Sequence, residues 1–386
     1  MVNFAKTEAA IRKLFGIFSN KNTTIRCLSK NTICTSEAVM PRSVIKPVKA
    51  LSTDVVEIQP NRLSLKTKLR EGNLSNLGVK INIPKGRLNA PRAGFDESLK
   101  AYTNIIRDNK GELQNLCSKY QQGMLNEEQF ANKYAEFLAE KIDMPYYPEL
   151  KKIISDTTAG GYQHTTNTLY YNLSGMSRMS DLMQTINHEM HHFLQQKEIF
   201  STMSIEKFSG LKAKADIMEL LRKNPNLYKT KAEIEKAIES QTKGYIKDFK
   251  DAGWDKILEK YPKNSNPDSP YYKRAQKLIE ADLNYTDGTE NISAYMSNII
   301  EREAYEIGVY SQLEIEHSVL NTISKKEKDI ALEIYNCLKD PSFAEIDGVS
   351  DILQSFNRNP YNLVEIVKEA NSMGLNDPYS IIQRIL

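Results

Sequence analysis

Four of the chain's five histidines fall between residues 164 and 192, and three of them stand in the run His188-Glu189-Met190-His191-His192. Two histidines four positions apart constrain the fold strongly, because an α-helix sets residues i and i+4 one above the other. The flanking residues suit that reading. At about 100° per residue, Leu182, Met183, Ile186, Met190, Phe193 and Leu194 fall within about 120° of one another. His188 and His192 fall near 240° and 280° on the same scale. The pattern predicts an amphipathic helix from about Ser180 to Lys197, with Ser180 or Asp181 as N-cap. One side packs into a core and the other faces a cleft. His191 points between the two faces and is read as a neighbour of the site or a surface residue.

The spacing has a chemical meaning. Two imidazoles on one helix face can reach a single ion at about 2.0–2.1 Å. Glu189 projects to one side of the pair, close to such an ion without necessarily binding it. There it can accept a proton from an attacking water and deliver it to a leaving amine. Zn²⁺ is the ion expected, and a catalytic zinc site needs a third protein ligand, with the fourth position left to water.

His188, Glu189 and His192 resemble the active helix of the zincin metallopeptidases, and two zincin patterns suggest different third ligands. The metzincin pattern continues with a Gly and then a His; those positions hold Gln195 and Glu198 here, which makes Glu198 an alternative without the bend that glycine provides. The gluzincin pattern places a Glu on a later helix, in a stretch similar to Glu301-Arg302-Glu303-Ala304-Tyr305. That resemblance implies Glu301 as the ligand, Glu303 as its nearest alternative, and Ala304 as a point of close helix approach. Tyr305 stands where many gluzincins carry Asp or Asn, and its hydroxyl is assigned to the catalytic machinery. His317 is a further ligand option. The resemblance covers about 160–198 and 291–310. It implies a zinc-dependent metallopeptidase that hydrolyses peptide bonds of a peptide or protein substrate. It further implies that substrate adds as a strand to the segment ahead of the metal helix, with Thr168-Leu169-Tyr170-Tyr171 as the edge. Tyr305, Tyr310, Tyr295 and His164 are the options for a donor to the transition-state oxyanion.

The fold class that follows is α+β, predominantly helical and zincin-like, with a small sheet beside the metal helix and a helical second lobe. Residues 1–95 carry 17 Lys and Arg against 5 Asp and Glu, while the remainder carries 35 against 44. With five prolines and no sustained period, 1–95 reads as a basic, mostly disordered leader; a transit peptide is the alternative for its first 30 residues. The metallopeptidase domain is expected over 96–320, with a helical insertion about 200–290, and a C-terminal helical extension over 321–386. Cys27, Cys34, Cys117 and Cys337 fit neither a zinc ribbon nor a dense disulfide framework and are read as free thiols, with a Cys27–Cys34 bridge as the alternative. No apolar run approaches the roughly 20 residues that span a bilayer, and no secretory signal is recognised. A net charge of +3 gives no reason to expect a nucleic-acid partner. The expected location is cytoplasmic, with export by another route open. Two other readings stay open: a catalytically inactive zincin-like binding or scaffold protein, and an exported effector peptidase. The sequence says nothing of oligomeric state.

Overall fold

The computed structural model describes residues 17–20, 23–26, 94–142, 144, 147–154, 159–172, 178–228, 230–261, 263–286, 291–340, 343, 346 and 348–386. Most of the expected leader, with Cys27 and Cys34, therefore lies outside the described residues. Within it the structure describes an antiparallel pair, β1 (Ile17–Asn20) with β2 (Thr23–Arg26). The rest follows in the order α1 (Phe95–Asp108), α2 (Lys110–Gln121), α3 (Glu127–Lys141), β3 (Glu149–Ile153), β4 (Gly160–Gln163), β5 (Thr168–Asn172), α4 (Met179–Thr202), α5 (Ile205–Lys223), α6 (Lys231–Asp251), α7 (Trp254–Leu258), α8 (Pro270–Leu283), α9 (Ile292–Ser297), α10 (Ile299–Glu314), a π-helical turn (Ile315–Val319), α11 (Lys325–Lys339), α12 (Val349–Arg358), α13 (Tyr361–Ser372) and α14 (Pro378–Ile385). The protein is predominantly helical with a small three-stranded sheet, an α+β architecture as the sequence predicts. Among the described residues, no helix is long and apolar enough to cross a membrane, and Cys117 and Cys337 are free thiols.

Local chemistry sets many of the helix starts. Asn126 and Gln129 exchange side chain-to-backbone hydrogen bonds of 2.8 and 3.0 Å ahead of α3. Ser324 and Glu327 form the same reciprocal cap on α11. Ser204, Thr230 and Ser269 accept from the first turns of α5, α6 and α8, and Pro270 follows at a position whose missing N–H costs nothing.

The described chain from Gly94 divides into two compact units. The first comprises Ala135–Met176 and Glu189–Arg302, and the second takes the chain up to Tyr134, Ser177–His188 and Glu303–Leu386. Helices α3, α4 and α10 thus contribute residues to both.

The first unit contains the sheet, ordered β3-β5-β4, with β5 parallel to β3 and antiparallel to β4. Here the structure corrects the sequence reading. Thr168–Tyr171, expected as the edge, is the central strand β5, preceded by β4 and a turn at His164–Asn167. Asn167 takes φ 47°, a left-handed conformation that asparagine tolerates better than most residues. β5 is fully buried and hydrogen-bonded on both sides, so Thr168–Tyr171 offers no free edge for a substrate strand. The threonines of the turn, Thr165 and Thr166, are β-favouring types and do not mark it as a turn.

The core of this unit is aromatic. Phe193 stacks on Trp254 at 5.3 Å, and Phe200 stands edge-on to Trp254, Phe249 and Phe208 at 5.1, 4.9 and 5.4 Å. Tyr162 of β4 meets Phe193 edge-on at 6.1 Å, which sets the sheet beside the C-terminal half of α4. Trp254 Nε1 donates to the His164 carbonyl at 2.8 Å, tying α7 to the β4–β5 turn.

The second unit holds the N-terminal half of α4 by polar contacts. Ser180 Oγ donates to Glu316 Oε1 at 2.5 Å, Gln312 Nε2 donates to Asp181 Oδ1 at 2.9 Å, and the Tyr134 hydroxyl donates to Asn187 Oδ1 at 3.0 Å. A Cβ placed on Gly308 of α10 would lie 2.5 Å from Gln184 Nε2, so these helices touch where α10 has no side chain. Residues 182–191 are consequently all buried. The polar face predicted to line a cleft is covered, because its side chains find partners. The C-terminal helices share one core with Val309 and Leu313 of α10, through Ile334, Tyr335, Val364 and Ile382. The described C-terminal helices therefore pack on α10.

Phe200 is 3 % exposed and contacts three other aromatic rings. Phe200→Ala is expected to destabilise the first unit by about 3–5 kcal/mol. Denaturant unfolding followed by the fluorescence of Trp254, the chain's one tryptophan, reads this directly; a loss below about 1 kcal/mol would contradict the packing described.

Candidate metal centre

The centre starts from α4. His188, Glu189 and His192 each offer one ligand atom, and these atoms all lie within 4.8 Å of one another. His188 and Glu189 are each 6 % exposed, and the His192 side chain, at 13 %, is the most open of the three. The i, i+4 spacing thus brings both imidazoles together as the sequence predicts, with the motif carboxylate beside them.

Glu301, in the first turn of α10, lies outside that close group and comes to it through His192. Its Oε1 is 3.7 Å from His192 Nε2. Two ligands at about 2.0–2.1 Å from one tetrahedral ion stand roughly 3.3 Å apart, so this separation is close to what a shared ion requires. Glu301 is 2 % exposed, and the Tyr285 hydroxyl donates to the same Oε1 at 2.6 Å. Tyr285 is itself buried and meets Tyr295 edge-on at 5.9 Å. A carboxylate this deeply buried needs positive charge and donors around it. The donor set of two imidazoles and a carboxylate is the one that catalytic zinc sites use, so these residues fit that ion.

A second set of bonds ties the histidine side to α10. His192 Nδ1 lies 2.9 Å from Gln195 Oε1, and Gln195 Nε2 donates to the Ile300 carbonyl at 3.1 Å. Gln195 is 2 % exposed. In the second unit, Tyr305 packs its ring edge-on to His188, with centroids 4.5 Å apart. Ala304 is fully buried, and one turn further on the Gln184 side chain of α4 lies against Gly308.

The alternatives have other occupations. Glu198 is paired with Arg274 at 3.1 Å. His317 sits in the π-helical turn, with Nδ1 3.2 Å from the Ile323 carbonyl. Glu303 is buried, but two positions along a helix is about 200° around it, away from the face that Glu301 presents to His192. His191 is buried at 1 %, which removes it from the surface. Tyr310 donates to Asn336 at 2.8 Å, within the second unit. His164 stacks on Phe249 at 5.5 Å in the aromatic core and is not gathered with the motif.

Sequence reading missed Gln195 and Tyr285. Gln195 had a signal, since i+3 from His192 is the same helix face. Tyr285 had none, being one of 20 tyrosines. Comparison with known proteins gives no match: neither a family model, nor a curated protein, nor a solved structure is similar to the chain.

Burial pushes the His164 imidazole down to about 4, with Asp282 opposing the shift and Lys212 adding to it. The unfolded chain takes up this proton near pH 6.5. The stability contributed by the neutral ring is therefore complete above about pH 6.5 and is lost as pH falls toward about 4, by up to roughly 3 kcal/mol. Denaturant midpoints measured at pH 7 and pH 5 should fall less steeply in His164→Gln than in the parent chain; equal slopes would contradict the assignment.

Proposed function

We propose that this chain is a zinc-dependent metallopeptidase with a zincin-like catalytic domain, acting on a peptide or protein substrate. The observation that carries the reading is the grouping of His188, Glu189 and His192 within 4.8 Å on one helix, with Glu301 3.7 Å from His192. His188, His192 and Glu301 are the residues that would hold zinc. Bound there, zinc lowers the pKa of a water toward about 7 and polarises the scissile carbonyl.

The chain's own groups supply the rest. Glu189 accepts the proton of the attacking water and passes it to the leaving nitrogen, the work of a general base turned general acid. Its burial beside two imidazoles keeps it near the reacting atoms. Tyr305 packs on His188 and holds that ring, and its phenol is the donor proposed for the developing oxyanion. Tyr285 orients the Glu301 carboxylate. In this reading the helices between the two ligand segments, α5 to α8, are the insertion. The free thiols Cys117 and Cys337 accord with a reducing, cytoplasmic setting.

Glu189→Gln separates binding from chemistry. The variant should retain about one zinc per chain while cleavage of a mixed peptide library falls by about 10²–10⁴-fold. Undiminished cleavage would remove Glu189 from the mechanism. Full zinc occupancy with no cleavage by the parent chain would favour a binding protein with a zincin-like site.

A further inference from the structure

The Gln195 carboxamide has two chemically distinct ends, and its surroundings decide which end faces which neighbour. One end lies 3.1 Å from the Ile300 carbonyl oxygen, which can only accept, so that end is the NH₂ group. The other end, 2.9 Å from His192 Nδ1, is then the oxygen. A carboxamide oxygen accepts and never donates, so Nδ1 of His192 carries a hydrogen. In the neutral ring the lone pair then belongs to Nε2, the atom 3.7 Å from Glu301 Oε1. Two acceptors facing each other in a buried site repel unless a proton or a metal cation stands between them.

We propose that Gln195 is the positioning residue of the centre. It locks His192 in the Nδ1–H tautomer, with Nε2 presented to the metal, and by bonding Ile300 it fixes the backbone one residue ahead of Glu301. One side chain thereby sets the spacing of a histidine ligand and a carboxylate ligand that are 109 positions apart in the sequence. The proposal rests on the metallopeptidase reading for its purpose, but the tautomer follows from hydrogen bonding alone.

The two bonds that carry the proposal join His192, Gln195 and Ile300. Gln195 is buried and its Nε2 bond reaches a backbone atom, so the carboxamide cannot reverse without setting its oxygen against a carbonyl oxygen. Glutamate in its place keeps an acceptor for Nδ1–H and loses the donor to Ile300. Leucine loses both. The two substitutions therefore divide the roles: tautomer control survives in Gln195→Glu and fails in Gln195→Leu.

The test uses the full-length chain. Nitrogen-15 NMR of histidine-labelled, metal-free protein at about pH 9, where imidazoles are neutral, reads the tautomer of His192, assigned by its loss in His192→Ala. The parent chain and Gln195→Glu should show Nδ1 protonated, and Gln195→Leu should lose that preference. Zinc affinity, measured by chelator competition, should fall by about 10–100-fold in Gln195→Leu. In Gln195→Glu it should fall by less. Thermal unfolding of each variant separates loss of fold from loss of positioning. An Nε2–H tautomer for His192 in the parent chain overturns the proposal, as does full zinc affinity in a folded Gln195→Leu. Failure of the metallopeptidase reading looks different: the tautomer stands, but no peptide is cleaved.

Discussion

A carboxylate with only 2 % of its surface exposed is expensive unless the protein surrounds it with donors and positive charge. Glu301 is in that position, and much of the centre answers to it. Tyr285 supplies a donor to one oxygen, and His192 turns a ring nitrogen toward the same atom. Gln195 then fixes the ring from behind and reaches the backbone of the residue before Glu301. A surface glutamate would need none of this. Its burial beside a histidine, with each side tied by a further bond, is the arrangement expected where a cation is shared.

Helix α4 meets two demands at once. Its apolar residues Ile186, Met190 and Phe193 are buried, and Phe193 carries the contacts to Trp254 and Tyr162. Its polar residues near the N-terminus are also buried, held by Glu316, Gln312 and Tyr134 in the second unit. A helix enclosed in this way has little freedom to rotate, so the imidazoles at i and i+4 keep their common direction.

How much of this was legible in the sequence varied with how local the signal was. The period of Leu182, Met183, Ile186, Met190 and Phe193 is written in consecutive residues, and so is the histidine spacing; both appear in the structure as read. The β4–β5 hairpin was not legible, because an edge strand and a central strand share the same threonines, leucines and tyrosines, and only the partner strand β3 distinguishes them. Burial of the polar face of α4 was hidden too, since it depends on residues as distant as Glu316 and Gln312. Tyr285 illustrates the limit: nothing near it in sequence marks it as the donor to Glu301, and only the folded chain brings them to 2.6 Å.

The central claim concerns which atoms surround one ion, and a crystal structure of the full-length chain grown with zinc tests it most directly, using diffraction data collected on both sides of the zinc absorption edge. The account predicts a single anomalous peak about 2.0–2.2 Å from one nitrogen each of His188 and His192 and from a Glu301 oxygen, with Glu189 close by but not bound. No peak at His192, or a peak in which Glu189 or another carboxylate takes the place of Glu301, would contradict it.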